Sequence, residues 1–293
     1  MYQYNNGQQL LELCKIHQQP IAEIALQAEI EESGRSRDVI WTSMDSQLQI
    51  MELSIRKGLN PDIRSVGGLI GGNAYRMHQR MDGENLGGKI LLKAVSYALA
   101  VTEMNASMGK IVAAPTAGAS GILPGILLAM LEEKSISWEE TIKALFVAAA
   151  IGKIIALNAT LSGAEGGCQA ECGSAASMAA AAAVYMGGGE PQTCLDAAAM
   201  SLKGQLGLIC DPVAGLVEVP CSKRNAVSAA NALVCADMAL AGIRSFIPFD
   251  EVVEVMYQVG KAIPPDLRET ARGGCAAAPT ALKYSRIVME TEN

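Results

Sequence analysis

Aromatic residues are scarce in this 293-residue chain: three Phe, two Trp and seven Tyr, 4% of the total. A core must therefore be built from Ala, Leu, Ile, Val and Met, small or flexible side chains that suit closely packed helices. Histidine is scarcer still, with His17 and His78 alone. No run of Lys and Arg appears, and the net charge is −7. That argues against a basic face for nucleic acid. Alternating strand patterns are nearly absent, Leu216 to Val219 being the one short example. There is no GxxxxGK[ST] order for a nucleotide phosphate and no paired CxxC spacing for zinc. The start, MYQYNNGQQLLELCK, lacks the basic and apolar stretches of a signal peptide, which predicts a reducing, cytoplasmic setting.

Half of the residues are hydrophobic, enough for one large core. Ile111–Leu131 is uncharged and 21 residues long, which is span length. Pro115, Pro124 and the intervening glycines favour a buried segment over a membrane span. Cys172–Gly189 is also uncharged, but its alanines anchor poorly in lipid.

The periodicity is helical throughout. Leu10, Leu11 and Cys14 mark a first helix stopped by Pro20, and a second ends at Gly34. Trp41, Met44, Leu48, Met51 and Ile55 recur at three- and four-residue spacing, a core stripe ending near Gly58. Further helices are expected over 87–108, from Ile122, from the capping box Ser137-Trp-Glu-Glu140, from Cys168 to Met186, and over 191–208, 224–244 and 250–261. The class is all-α. The boundaries read as an N-terminal helical subdomain over 1–64, a catalytic core over 65–284 and a polar tail over 285–293. SVGGLIGG, Ser65–Gly72, has two open readings: a plain linker, or backbone in close approach to another group.

Eight cysteines do not read as a small secreted disulfide scaffold. Cys14, Cys194 and Cys235 fall within helical patterns and read as small core hydrophobes. Cys168 follows Gly166-Gly167 in LSGAEGGCQAEC, where a helix N-terminus favours the thiolate. Cys210 and Cys221 bracket a turn containing Pro212, Gly215 and Pro220. Spacing leaves three readings of these cysteines open: ligands of an iron–sulfur cluster, a structural zinc site, and plain buried thiols. AAPTAGASG, Ala113–Gly121, offers bare amides and small hydroxyls before a helix, a cradle for a carboxylate. Thr116, Gly118 and Ser120 are its candidate substrate contacts.

The segments Ser162–Gly173, Cys210–Cys221 and Ala113–Gly125, with Gly34-Arg-Ser-Arg37, closely resemble the iron–sulfur-dependent L-serine dehydratases. The likeness runs from about residue 10 to 280 and matches the alpha chain of the two-chain form. It implies conversion of L-serine to pyruvate and ammonia at an oxygen-sensitive [4Fe–4S] cluster, without pyridoxal phosphate. It further implies that Cys168, Cys210 and Cys221 ligate the cluster and leave one iron open. The family's Ser-Ser-His-Thr signature is missing here. In the two-chain form it belongs to the beta chain, which also carries an ACT domain, so a beta chain is the implied partner and a possible source of the base. His78 is the local candidate. Cys172 is expected beside the cluster rather than on it, and Cys275 is not assigned as a ligand. The competing readings are a cluster-dependent hydro-lyase for another small hydroxy acid and a non-enzymatic iron–sulfur sensor or scaffold.

Overall fold

Three helices start where a side chain caps them: Asn6 accepts from the Gln9 amide, Ser36 from Val39 and Ser137 from Glu140. They are α1 (Gly7–His17), α3 (Arg37–Gly58) and α7 (Trp138–Asn158); α2 (Ile21–Ser33) lies between the first two and ends at left-handed Gly34. The computed structural model describes residues 1–291. Among these there are no strands, and the remaining helices are α4 (Asn73–Gln79), α5 (Lys89–Ala106), α6 (Ile122–Glu133), α8 (Gly163–Gly166), α9 (Ser174–Met186), α10 (Pro191–Lys203), α11 (Cys221–Leu240), α12 (Phe249–Ala262) and α13 (Pro279–Thr291). The expected all-α class is what the chain adopts.

α9 is the axis of the molecule. Every residue from Ser174 to Val184 is buried, as expected for a helix apolar all round. α6, α7, α10 and α11 pack around it. Its alanines bury little area each, and their contribution is to let these four neighbours come close. The large side chains sit on the neighbours: Ile122, Ile126, Leu127, Ile151, Ile154, Ile155 and Leu202 are fully buried, each worth roughly 1.5–3 kcal/mol relative to exposure. A second group forms about α5, which packs on α3, α4, α6 and α11. One continuous core runs from Tyr4 to Met256.

Several boundaries differ from expectation. The helix expected over 224–244 is α11, which begins at Cys221, directly after Pro220. The helix expected to reach 208 stops at Lys203, and residues 204–208 turn back toward Cys168. The continuous helix expected from Cys168 is interrupted by a π turn over Gln169–Gly173. α13 covers the start of the expected polar tail, and residues 292–293 of that tail lie outside the described residues. Ile111–Leu131 divides into a loop and α6, and no helix among the described residues is long and apolar enough to cross a membrane.

Candidate active site

The glycine-rich segment before Cys168 is folded by short-range bonds. The amides of Glu165 and Gly166 donate to the Ser162 carbonyl, and that of Gly167 donates to Gly163. Gly167 takes φ +75°, and a Cβ there would lie 2.8 Å from the Leu208 carbonyl oxygen, so no other residue fits easily. Gln169 then ties this segment to the next. Its amide donates to the Leu208 carbonyl, its Oε1 accepts from the Gly207 amide at 2.8 Å and its Nε2 donates to the Met256 carbonyl at 2.9 Å. The chain leaving that turn reaches Cys210 two residues later.

Cys210 is held on both sides by backbone. Its amide donates to the Leu267 carbonyl and its carbonyl accepts from the Glu269 amide, at 2.9 and 2.7 Å. The adjacent Asp211 is buried. Its Oδ1 pairs with Arg224 Nη1 at 2.6 Å, and its Oδ2 accepts from the Cys275 amide at 2.6 Å. Cys275 is thus anchored through its backbone while its residue stays exposed.

Between Cys210 and Cys221 the chain turns tightly, with Ala214 and Gly215 both left-handed. Glu218 projects inward from this turn. Its carboxylate accepts from Ser65 Oγ at 2.6 Å and from the amides of Gly67 and Leu69 at 2.7 and 3.0 Å. Of the two readings of the 65–72 segment, close approach is the one realised, and the group approached is this carboxylate. Cys221 opens α11. One turn later Asn225 donates to the carbonyls of Cys221 and Gly118 and accepts from the Gly121 amide. It clips the Ala113–Gly121 loop to the third cysteine.

Cys168, Cys210 and Cys221 are all buried, and their charges act on one another. Burial pushes the Cys221 thiol up to about 12, with Cys168 adding to it. Burial likewise pushes Cys210 up, with Glu171, Cys168 and Cys221 contributing. Cys168 moves the other way. The Cys172 thiol, 3.3 Å from its sulfur, favours its anionic form against burial, and Arg224 helps. Cys172 is correspondingly raised. The three buried thiols thus act on one another, and burial opposes ionisation of Cys210 and Cys221.

Among the described residues no three His, Cys, Asp or Glu side chains converge as ligands of a single ion. A polynuclear cluster makes a different demand, because its thiolates bind different irons and stand further apart. All-sulfur donors, buried and drawn from loops and helix starts, fit such a cluster.

Sequence reasoning missed Glu171. Its carboxylate accepts from Thr116 Oγ1 at 2.7 Å, and Oε2 lies 3.8 Å from Cys210 Sγ. A Cβ at Gly118 would lie 3.0 Å from Oε1, and one at Gly163 would lie 2.6 Å from Oε2, so two glycines leave the carboxylate its room. Burial raises its pKa, which the Thr116 hydroxyl partly offsets. The available signal was its position between Cys168 and Cys172 in a glycine-rich motif.

The other candidates are placed as follows. Thr116 and Gly118 stand at Glu171. Ser120 is fully buried, and its hydroxyl donates to the Ala117 carbonyl in its own turn. His78 lies on α4 with its ring 6.2 Å from that of Tyr97, and it makes no hydrogen bond to the thiols, Thr116 or Glu171. Cys14, Cys194 and Cys235 are buried in the core.

Residues 17–276 match the family model described as serine dehydratase alpha chain. The chain is 49% identical over 284 residues to a probable L-serine dehydratase, alpha chain, of Bacillus subtilis (strain 168), covering 97% of this chain and 94% of that one. It is 42% identical to an L-serine dehydratase, alpha chain, of Peptoniphilus asaccharolyticus, covering 96% and 97%. It is also 36% identical to the L-serine dehydratase TdcG of Escherichia coli (strain K12), covering 94% of this chain but 62% of that longer one.

Proposed function

This chain belongs to the serine dehydratase alpha chain family, and on that footing we propose that it converts L-serine to pyruvate and ammonia as the alpha chain of a two-chain cytoplasmic enzyme. The observation that carries the reading is the burial of Cys168, Cys210 and Cys221 about the Glu171–Thr116 pair: Cys210 Sγ lies 3.8 Å from Glu171 Oε2, Cys168 precedes the turn that carries Glu171, and Asn225 ties the Cys221 carbonyl to that of Gly118. These three cysteines would hold a [4Fe–4S] cluster. When bound, such a cluster supplies a Lewis-acidic iron that makes hydroxide a better leaving group.

The chain's own residues do the positioning. Thr116 and the turn at Gly118 receive the substrate carboxylate, and Asn225 keeps that loop against the Cys221 end of α11. The glycines at 118 and 163 keep the space beside Glu171 open. Loss of the α-proton and of the β-hydroxyl gives 2-aminoacrylate. Its imine tautomer takes up one water to release pyruvate and ammonia. The α-proton base is assigned to the companion beta chain, the segment that also carries the ACT domain. TdcG, a single longer chain, has the additional length that such a segment requires.

The test is iron, acid-labile sulfide and L-serine turnover on anaerobically purified chain, alone and with its beta chain. About four irons and four sulfides per chain, with pyruvate formed in the pair and lost in air, is the expected result. A chain that takes up no iron on anaerobic reconstitution overturns the reading.

A further inference from the structure

Beside the active site lies a cavity of about 420 Å³ between α8, α12 and the 265–270 segment. Its polar walls are Thr160, Glu165, Tyr257, Lys261, Arg268 and Thr270. None of them belongs to the thiol cluster or to the Thr116–Glu171 pair. We propose that this cavity binds a small carboxylate, gripped by Arg268 and Lys261.

Arg268 is oriented for that task. Its Nη1 donates to the Glu165 carbonyl at 3.2 Å, which fixes the plane of the guanidinium. Its Nε is buried and meets no acceptor among the described residues. The guanidinium Nη groups on the cavity wall can donate charge-assisted bonds to a carboxylate oxygen. Across the cavity, Lys261 Nζ stands 3.8 Å from the centroid of the Tyr257 ring. It forms no ion pair among the described residues, so its charge is available while the ring steadies it. The volume lies within the range of small-molecule sites.

Glu165 adds a second feature. Its carboxylate accepts from Thr160 Oγ1 at 2.5 Å, so the walls carry two cations and one anion. A 2-oxo acid uses the cations alone, whereas an amino acid also finds a partner for its ammonium group. The carboxylate is common to both. A ligand here would act close to Cys210: Arg268 stands between Leu267 and Glu269, the two residues whose backbone holds that cysteine. The site does not rest on the serine reaction, and its test reads binding rather than turnover.

Isothermal titration calorimetry on the anaerobically purified full chain would use pyruvate, L-serine and inorganic phosphate. At least one of the two carboxylates should bind saturably. R268Q and K261Q, each tested in the T116V background so that binding at the Thr116 loop is removed, should weaken the remaining binding about ten-fold or more, the loss of one charged contact. Pyruvate as the tighter ligand identifies an oxo-acid site, and L-serine an amino-acid site. Lys261 is exposed on α12, so K261Q tests the site without disturbing the segment at Cys210. Affinity unchanged in both variants overturns the proposal. So does the loss of all saturable binding in T116V, which would place the ligand at the active site, or phosphate binding as tightly as the carboxylates. Absence of saturable binding overturns it as well.

Discussion

The Thr116 hydroxyl donates a 2.7 Å hydrogen bond to Glu171 Oε1, joining two glycine-rich loops 55 residues apart in the chain. Glu171 in turn faces Cys210. This carboxylate therefore links the loop proposed to bind substrate with the loops proposed to hold the cluster.

Removing that hydrogen bond should impair turnover without removing metal. T116V is expected to lower kcat/KM about 10- to 100-fold, the equivalent of one hydrogen bond to a charged group, with iron content unchanged. T116S should recover most of the loss. Loss of iron in T116V would show that the pair is structural instead.

Gly163 tests the same carboxylate by crowding. Its backbone is unstrained, but an added Cβ would lie 2.6 Å from Glu171 Oε2 and 3.1 Å from Cys210 Sγ. G163A should cut turnover by about ten-fold or more, with helix content intact by circular dichroism; the clash must be relieved by moving one of these groups. Wild-type turnover in G163A would show that Glu171 is free to move without consequence.

The two cysteines of the central motif should separate by iron content. C168A is expected to lose iron and acid-labile sulfide. C172A should keep both, because Cys172 stands as a neighbour of the proposed cluster, 3.3 Å from the Cys168 sulfur, rather than as a ligand. The reverse pattern would exchange their roles.

Glu218 should matter for stability. E218A leaves the Ser65 hydroxyl and the amides of Gly67 and Leu69 without their acceptor, at a cost of about 3 kcal/mol. The checks are a chemical-denaturation midpoint and amide hydrogen exchange, which should accelerate at Gly67 and Leu69. An unshifted midpoint with unchanged exchange would contradict the clamp.

Acid should weaken the pairing of α2 with α3. The Arg37 hydrogen bonds hold Glu23 below the usual carboxylate pKa. A depressed folded pKa contributes stability that is fully present above the unfolded value of about 4.3. That contribution is lost as pH falls through the folded value. The pair is partly exposed, so it contributes less than about 1 kcal/mol. The Tm difference between wild type and E23Q should be present at neutral pH and should shrink in strong acid. A difference that grows on acidification would reverse the sign.

The amino-acid sequence by itself determined the helical class, because apolar spacing and capping residues are local. Ser137 three residues before Glu140, or Gly34 after Ser33, specifies a helix end whatever surrounds it. It also carried the three cysteines, since glycine and proline beside a thiol mark loops rather than helix interiors. The short helices α4 and α8 and the π turn over Gln169–Gly173 were not legible. Elements of one or two turns have no period to detect, and their neighbours decide them. Tertiary structure alone decided which distant groups meet. Glu171 with Thr116, Glu218 with Ser65, Asn225 with Gly118, and Arg268 beside Cys210 are side-chain and backbone contacts across 50 to 155 residues. Nothing in a local pattern records such pairs, because they exist once the packing of the helices has brought their loops together.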